Sequence, residues 1–227
     1  MIADNLKILE ERISRKCEAC ARNRSEIRLI GVSKNQSIET IKEAIAAGIN
    51  DLGENKAQEL RDKAELITNN VNWHFIGHLQ SNKIKYIIKA AEYIHSVDSL
   101  RLAEEINSKA ARHGKIQKIL LEIKTSDEAT KFGLVNEKEI IEIAEYCKEV
   151  GNLNLVGLMT MAPFTENAAL IRKSFVGLRM LKEKMNSMGF GITELSMGMT
   201  NDYEIAIEEG TTMLRIGTAI FGERNYL

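Results

Sequence analysis

The sequence has one proline, three cysteines and no apolar run close to the roughly 18 residues that cross a bilayer. Aromatic residues make up only 5% of it, and the charges nearly cancel, 31 basic against 32 acidic, for a formal −1. Each shortage excludes something. The N-terminal stretch MIADNLKILEERISRKCEAC is amphipathic and charged, so it does not read as a signal peptide, and a cytoplasmic protein without a membrane anchor is expected. The lack of a basic excess argues against general nucleic-acid binding. An odd number of cysteines suits a reducing compartment. Cys17 and Cys20 form a CxxC, but they lie in a helical pattern with no second CxxC and no histidine at ligand spacing, so no metal is expected there. With a single proline and no low-complexity tract, no linker divides the chain, and residues 1–227 read as one domain.

What is present is a globular composition, 44% hydrophobic and 28% charged, at a length of 227 residues that is ordinary for one α/β barrel. Ile2, Leu6, Leu9 and Ile13 recur at helical spacing, predicting an opening helix of about five turns. Short β-like runs then alternate with helical ones. The strands are expected at Arg28 to Val32, Asp51 to Gly53, Trp73 to Ile76, Tyr93 to Ser96, Lys118 to Ile123, Leu155 to Met159, Glu194 to Met197 and Met213 to Ile216. Eight such strands, each followed by a helix or a turn, predict a (β/α)8 TIM barrel with an extra N-terminal helix. An open doubly wound sheet usually has fewer strands in this length.

Barrels place their chemistry at the C-terminal strand ends. Reading only those ends gives Lys34, Glu54-Asn55, His78, Asp98, Lys124, Thr160, Ser196 and Arg215. After the last two strands come Ser196-Met197-Gly198-Met199-Thr200 and Arg215-Ile216-Gly217-Thr218. Glycines and hydroxyls there suit a phosphate, with backbone N–H groups brought close, although two hydroxyl-capped glycine turns would look the same. Arg215, inside an apolar strand, either faces an acceptor in the mouth or pairs with a buried carboxylate. Lys34 follows Ile27-Arg28-Leu29-Ile30-Gly31-Val32, where a core strand ends. It reads as a nucleophile for a carbonyl on a phosphorylated ligand, as a charged phosphate ligand, or as a lysine snorkelling to water. The helix carrying Lys83, Lys85 and Lys89 reads as an ordinary solvated surface.

The blocks GVSKNQS, DLGENKAQE, WHFIGHLQSNK, KFG, GLMTM and LSMGMTNDYEIAIEEGTTMLRIGTAIFG resemble, in order, the pyridoxal phosphate homeostasis protein family, from about Leu29 to Gly222. That resemblance implies the alanine racemase N-terminal barrel, of fold type III, with pyridoxal 5′-phosphate (PLP) held as an internal aldimine on Lys34. It implies phosphate contacts from Ser196, Gly217 and Thr218 with help from Gly198, and a partner for the pyridine nitrogen in Arg215. Asn55, His78 and Met197 are implied as pocket residues near the ring, with Met199 beside them. The family commonly has SKT where this chain has SKNQS, a departure at Asn35 that leaves Ser37 able to cap the next helix.

The resemblance implies a carrier or buffer of PLP without a catalytic residue of its own, serving PLP-dependent apo-enzymes. The alternative is a small amino-acid racemase or decarboxylase of the same fold type. Such enzymes continue into a β-rich second domain, whereas this chain ends five residues after Gly222, and nothing marks Tyr203 or Tyr226 as a catalytic base. The same comparison implies a monomer. A sugar-phosphate aldolase using Lys34 is the reading without PLP, and no acid–base partner for it stands out.

Overall fold

In a computed structural model that describes residues 1–68, 70–125 and 132–222, eight parallel strands close into a barrel in chain order. The elements are α1 (Ile2–Ala19), β1 (Arg28–Val32), α2 (Ile38–Ala46), β2 (Asp51–Glu54), α3 (Ala57–Leu66), β3 (Asn72–Phe75), α4 (Ile84–Ile87), β4 (Ala91–Val97) and α5 (Leu100–Arg112). They continue with β5 (Gln117–Glu122), α6 (Glu137–Glu149), β6 (Leu153–Met159), α7 (Ala168–Ser187), β7 (Glu194–Ser196), α8 (Tyr203–Glu208), β8 (Met213–Ile216) and α9 (Thr218–Phe221). The eight strands and the opening helix fall where the apolar runs predict them. Closure is made by β8 pairing with β1, with Ile30 opposite Arg215 and Gly31 opposite Ile216.

Alternation along each strand sorts the side chains into two cores. Leu29, Leu52, Trp73, Phe75, Ile94, Ile119, Leu121, Leu158, Leu195 and Leu214 point outward into a large apolar layer shared with the helices. Between them, Ile30, Tyr93, Leu120, Met159 and Met213 point inward and form a small separate cluster inside the barrel. Other inward positions carry polar side chains, among them Asp51, His74, His95, Glu122, Ser196 and Arg215. In this barrel, therefore, apolar side chains fill only part of the interior.

Helix starts are set by local chemistry. Ser37, Ser99, Asn136 and Asn167 each accept a backbone N–H at the start of α2, α5, α6 and α7, satisfying donors that a helix leaves open. α1 buries Ile2, Leu6, Leu9, Ile13 and Cys17, so Cys17 serves packing. The other buried cysteine, Cys147 of α6, has its thiol pushed up to about 12 by burial, which keeps it protonated and inert.

Candidate functional site

The turn after β1 presents Lys34, and it is held on both sides. Gln36 N donates to Ser33 O (3.0 Å), and Asn35 adopts the left-handed conformation (φ 61°). Asparagine tolerates that region better than most residues, so the SKN departure suits the turn. From α3, Lys63 Nζ donates to Ser33 O at 2.7 Å, and Glu59 Oε1 accepts the Asn35 N–H at 2.7 Å. Lys63 also donates to Glu54 Oε1 and Glu59 Oε1, both at 2.7 Å, while Ser33 Oγ donates to Glu54 Oε1 at 2.6 Å. The backbone flanking Lys34 is thus tied to a buried ion cluster rather than left as a loose loop.

On the opposite side of the seam, Arg215 of β8 is 4% exposed. Its Nη1 donates to Ser196 Oγ (2.6 Å) and its Nη2 to Thr160 O (2.8 Å). Burial lowers this guanidinium to about 10, with Asp202 and Glu122 opposing, so it stays cationic at neutral pH. Glu122, at the end of β5, is pushed up to about 7 by burial first and by Asp98 second, against Arg215. The mouth therefore holds a fixed cation and a carboxyl near its titration point.

The resemblance puts Ser196 on a phosphate. In the structure its neighbour Leu195 faces the helices, which turns Ser196 into the barrel, fully buried and hydrogen-bonded to Arg215 and to His95 (2.9 Å). Its hydroxyl serves Arg215 from behind. Met197 is fully buried in the outer apolar layer, and Met199 is part-exposed with its N–H donating to Asp202 Oδ1 (2.5 Å). Gly198 takes φ 98°, and an added Cβ there would meet Ala206 Cβ and Leu214 Cδ2 at 2.7 Å, so this position needs glycine. Gly217 precedes α9 and its Cα face lies against Val32, while Thr218 is exposed.

Asn55 and His78 lie across the mouth, on the loops after β2 and β3. Both line a cavity of about 400 Å³, together with Glu59 and Lys83. His78 stacks on Phe132 (ring centroids 3.9 Å apart) and lies 3.6 Å from Asp98. Asn55 Oδ1 is buried without a hydrogen-bond partner among the described residues. Lys131 of the KFG block and Tyr226 lie outside the described residues. Missed by reading strand ends were His74, His95 and Lys63. The first two sit mid-strand among apolar residues, and Lys63 sits in a charged helix that reads as solvated.

A lysine at the end of β1, glycine loops after β7 and β8, and a buried arginine between them define a cofactor-binding barrel. The alanine racemase N-terminal domain family model matches residues 2–225. The pyridoxal phosphate homeostasis protein of Aquifex aeolicus is 40% identical over 98% of each chain. That of Pseudomonas aeruginosa is 39% identical, over 99% of this chain and 96% of its own. The structure of PipY from Synechococcus elongatus PCC7942 with PLP bound is similar at a TM-score of 0.86 and 32% identity, covering 98% of this chain and 100% of that one. The chain belongs to the pyridoxal phosphate homeostasis protein family.

Proposed function

We propose that this chain binds PLP and acts in intracellular PLP homeostasis as a carrier or buffer, with Lys34 as the point of covalent attachment and residues 1–227 forming one domain. The observation that carries the reading is the β8–β1 pairing. It sets Arg215 beside Ile30, four residues before Lys34, and brings the Gly198 and Gly217 loops to the same sector. The residues fit the group. Positive charge and close backbone suit a phosphate, and the orphaned Asn55 Oδ1 is a buried acceptor with room beside it for a ligand donor. Gly198, Thr200, Gly217 and Thr218 surround the phosphate in this reading, with Asn55 and His78 toward the ring.

Arg215 sets the chemistry. A guanidinium is a donor only, so it offers N–H to a pyridine nitrogen and leaves that nitrogen without its own proton. Bound PLP supplies electron withdrawal and an aldehyde; a ring without a nitrogen proton withdraws electrons weakly, which suits holding the group over turning over amino acids. No helix among the described residues is long and apolar enough to cross a membrane. The same reading puts the protein in the cytoplasm as a monomer that supplies apo-enzymes.

The test is to add PLP, reduce with borohydride and map the product by peptide mass spectrometry. The expected result is a pyridoxyl group on Lys34 alone. No adduct, or label scattered over surface lysines, overturns the reading.

A further inference from the structure

Behind Arg215 the polar side chains inside the barrel form an unbroken chain of hydrogen bonds. Arg215 Nη1 meets Ser196 Oγ (2.6 Å), Ser196 Oγ meets His95 Nδ1 (2.9 Å), and His95 Nε2 meets His74 Nδ1 (2.9 Å). His74 Nε2 then meets Asp51 Oδ1 (2.8 Å). Asp51 is the first residue of β2, so the chain runs from the base of the barrel to its mouth. His74, His95 and Ser196 are fully buried, leaving no water to substitute for a lost partner. At the base, Asp51 also accepts from Arg28 Nη1 (3.2 Å) and Asn72 Nδ2 (3.1 Å), and Tyr93 stacks on His74 at 4.6 Å.

The direction of the protons follows from the Asp51 end. Arginine only donates, so Ser196 Oγ accepts from it, and the hydroxyl still has a proton to give and a second lone pair toward His95 Nδ1. A carboxylate only accepts, so His74 Nε2 carries a proton toward Asp51. The remaining link closes only if His95 Nε2–H donates to an unprotonated His74 Nδ1. Read from the Asp51 end, two neutral imidazoles are both protonated at Nε2, which leaves His95 Nδ1 to accept the Ser196 proton, and the Arg215 end is compatible with that pattern. A proton added at His74 Nδ1 faces His95 Nε2–H and breaks that link, while one added at His95 Nδ1 reverses the Ser196 link and turns the hydroxyl proton away.

We propose that Asp51, His74, His95 and Ser196 form a one-way hydrogen-bond relay that locks the Arg215 guanidinium in a single orientation, making the two histidines positioning residues for the ligand's ring. The last clause rests on the PLP reading; the relay itself does not. Ser196 holds Nη1 and Thr160 O holds Nη2, so the arginine plane is fixed at two points and its other N–H groups keep one heading. Without His95, the Ser196 hydroxyl is free to turn its proton toward Arg215 and repel it. Burial leads the lowering of both histidines, well below the ordinary value for His95, which agrees with two neutral rings.

The experiment is ¹⁵N NMR of the histidine side chains in the whole, ligand-free protein at pH 7.5, with His74→Phe and His95→Phe used for assignment. Both rings are expected as neutral Nε2–H tautomers. A Nδ1–H tautomer or an imidazolium at either ring overturns the relay, and where a Phe variant folds poorly, His74→Gln or His95→Gln at the same position supplies the assignment. With PLP, both Phe variants are expected to shift the absorbance maximum of the bound ligand and weaken its retention by about tenfold, a factor equivalent to about 1.4 kcal/mol. Unchanged absorbance and retention in folded variants refutes the positioning role. Failure of the PLP reading is distinguishable, because then Lys34 takes no adduct while the tautomers stand as derived.

Discussion

Replacing Lys63 by methionine tests how firmly the Lys34 turn is held. Lys63 is 6% exposed and Glu54 is 0% exposed, and the ammonium donates to Glu54, Glu59 and Ser33 O at 2.7 Å each. Methionine keeps the bulk of the stem but leaves the Glu54 carboxylate buried and unpaired. Removing one member of a buried pair costs about 3–5 kcal/mol. At about 2–4 °C per kcal/mol for a chain of this size, the melting temperature should fall by about 6–20 °C. The sign of its pH dependence follows from Glu54. Burial already raises its carboxyl, with Lys63 and Ser33 pulling it down. Without Lys63 the folded value rises further above the unfolded one, so the native state binds the proton more tightly. The deficit then grows as pH rises above the ordinary carboxylate range and shrinks in acid. Adding Glu54→Gln removes the stranded charge, so the double variant should lose less than the sum of the singles. Denaturant melts at pH 5 and pH 8 give all four corners of the cycle. A loss under about 1 kcal/mol at pH 8 for Lys63→Met, against that expected range, or strictly additive singles, refutes the clamp. With PLP present, the same variant should also trap label on Lys34 more slowly, since Ser33 O is released and Glu59, which holds Asn35 N, loses its own anchor.

Three further outcomes follow from single positions. Glu122 sits at about 7 against an ordinary 4.5. Its native carboxyl therefore binds a proton the unfolded chain has released, and stability is lost as pH rises between those values. Glu122→Gln should stabilise the ligand-free protein by about 3 kcal/mol at pH 8 and by little at pH 4.5, in denaturant melts; equal effects at both pH values would refute it. At Gly77 an added Cβ would fall 2.2 Å from Asn55 O and 2.7 Å from its Cα, so Gly77→Ala must move the Asn55 backbone. The expected readout is weaker PLP retention by equilibrium dialysis with circular dichroism still showing a folded barrel, and unchanged retention would count against Asn55 as a pocket residue. At Asn35, with φ 61°, valine should cost about 1–2 kcal/mol and glycine should be close to neutral; a well-tolerated valine in thermal melts would show that the turn is not held in this conformation.

The barrel was legible because strands buried on both faces read as short apolar runs, and the eight runs sit within two residues of the strands observed, as at Tyr93 to Ser96 inside Ala91–Val97. The strand-end residues were legible for the same reason in reverse: at the mouth a polar group ends an apolar run. The interior was not legible. His74 and His95 sit among Trp73, Phe75 and Ile94, and only the registers of β2, β3 and β4, which pair Gly53 with His74 and His74 with Tyr93, bring the two rings and Asp51 together. One residue of slip would turn each histidine into the helix layer. Lys63 misleads in another way, because QELRDKAEL has the charge density of a solvated helix, yet this lysine is the position that turns back onto β1 and β2. Ser196 has partners that its motif does not reveal. A serine beside a glycine loop suggests a phosphate ligand, and only strand parity shows that its hydroxyl also turns inward to meet Arg215 and His95. Local pattern identifies which residues reach the mouth, whereas register decides which of them touch one another, and the chemistry of this site depends on the second.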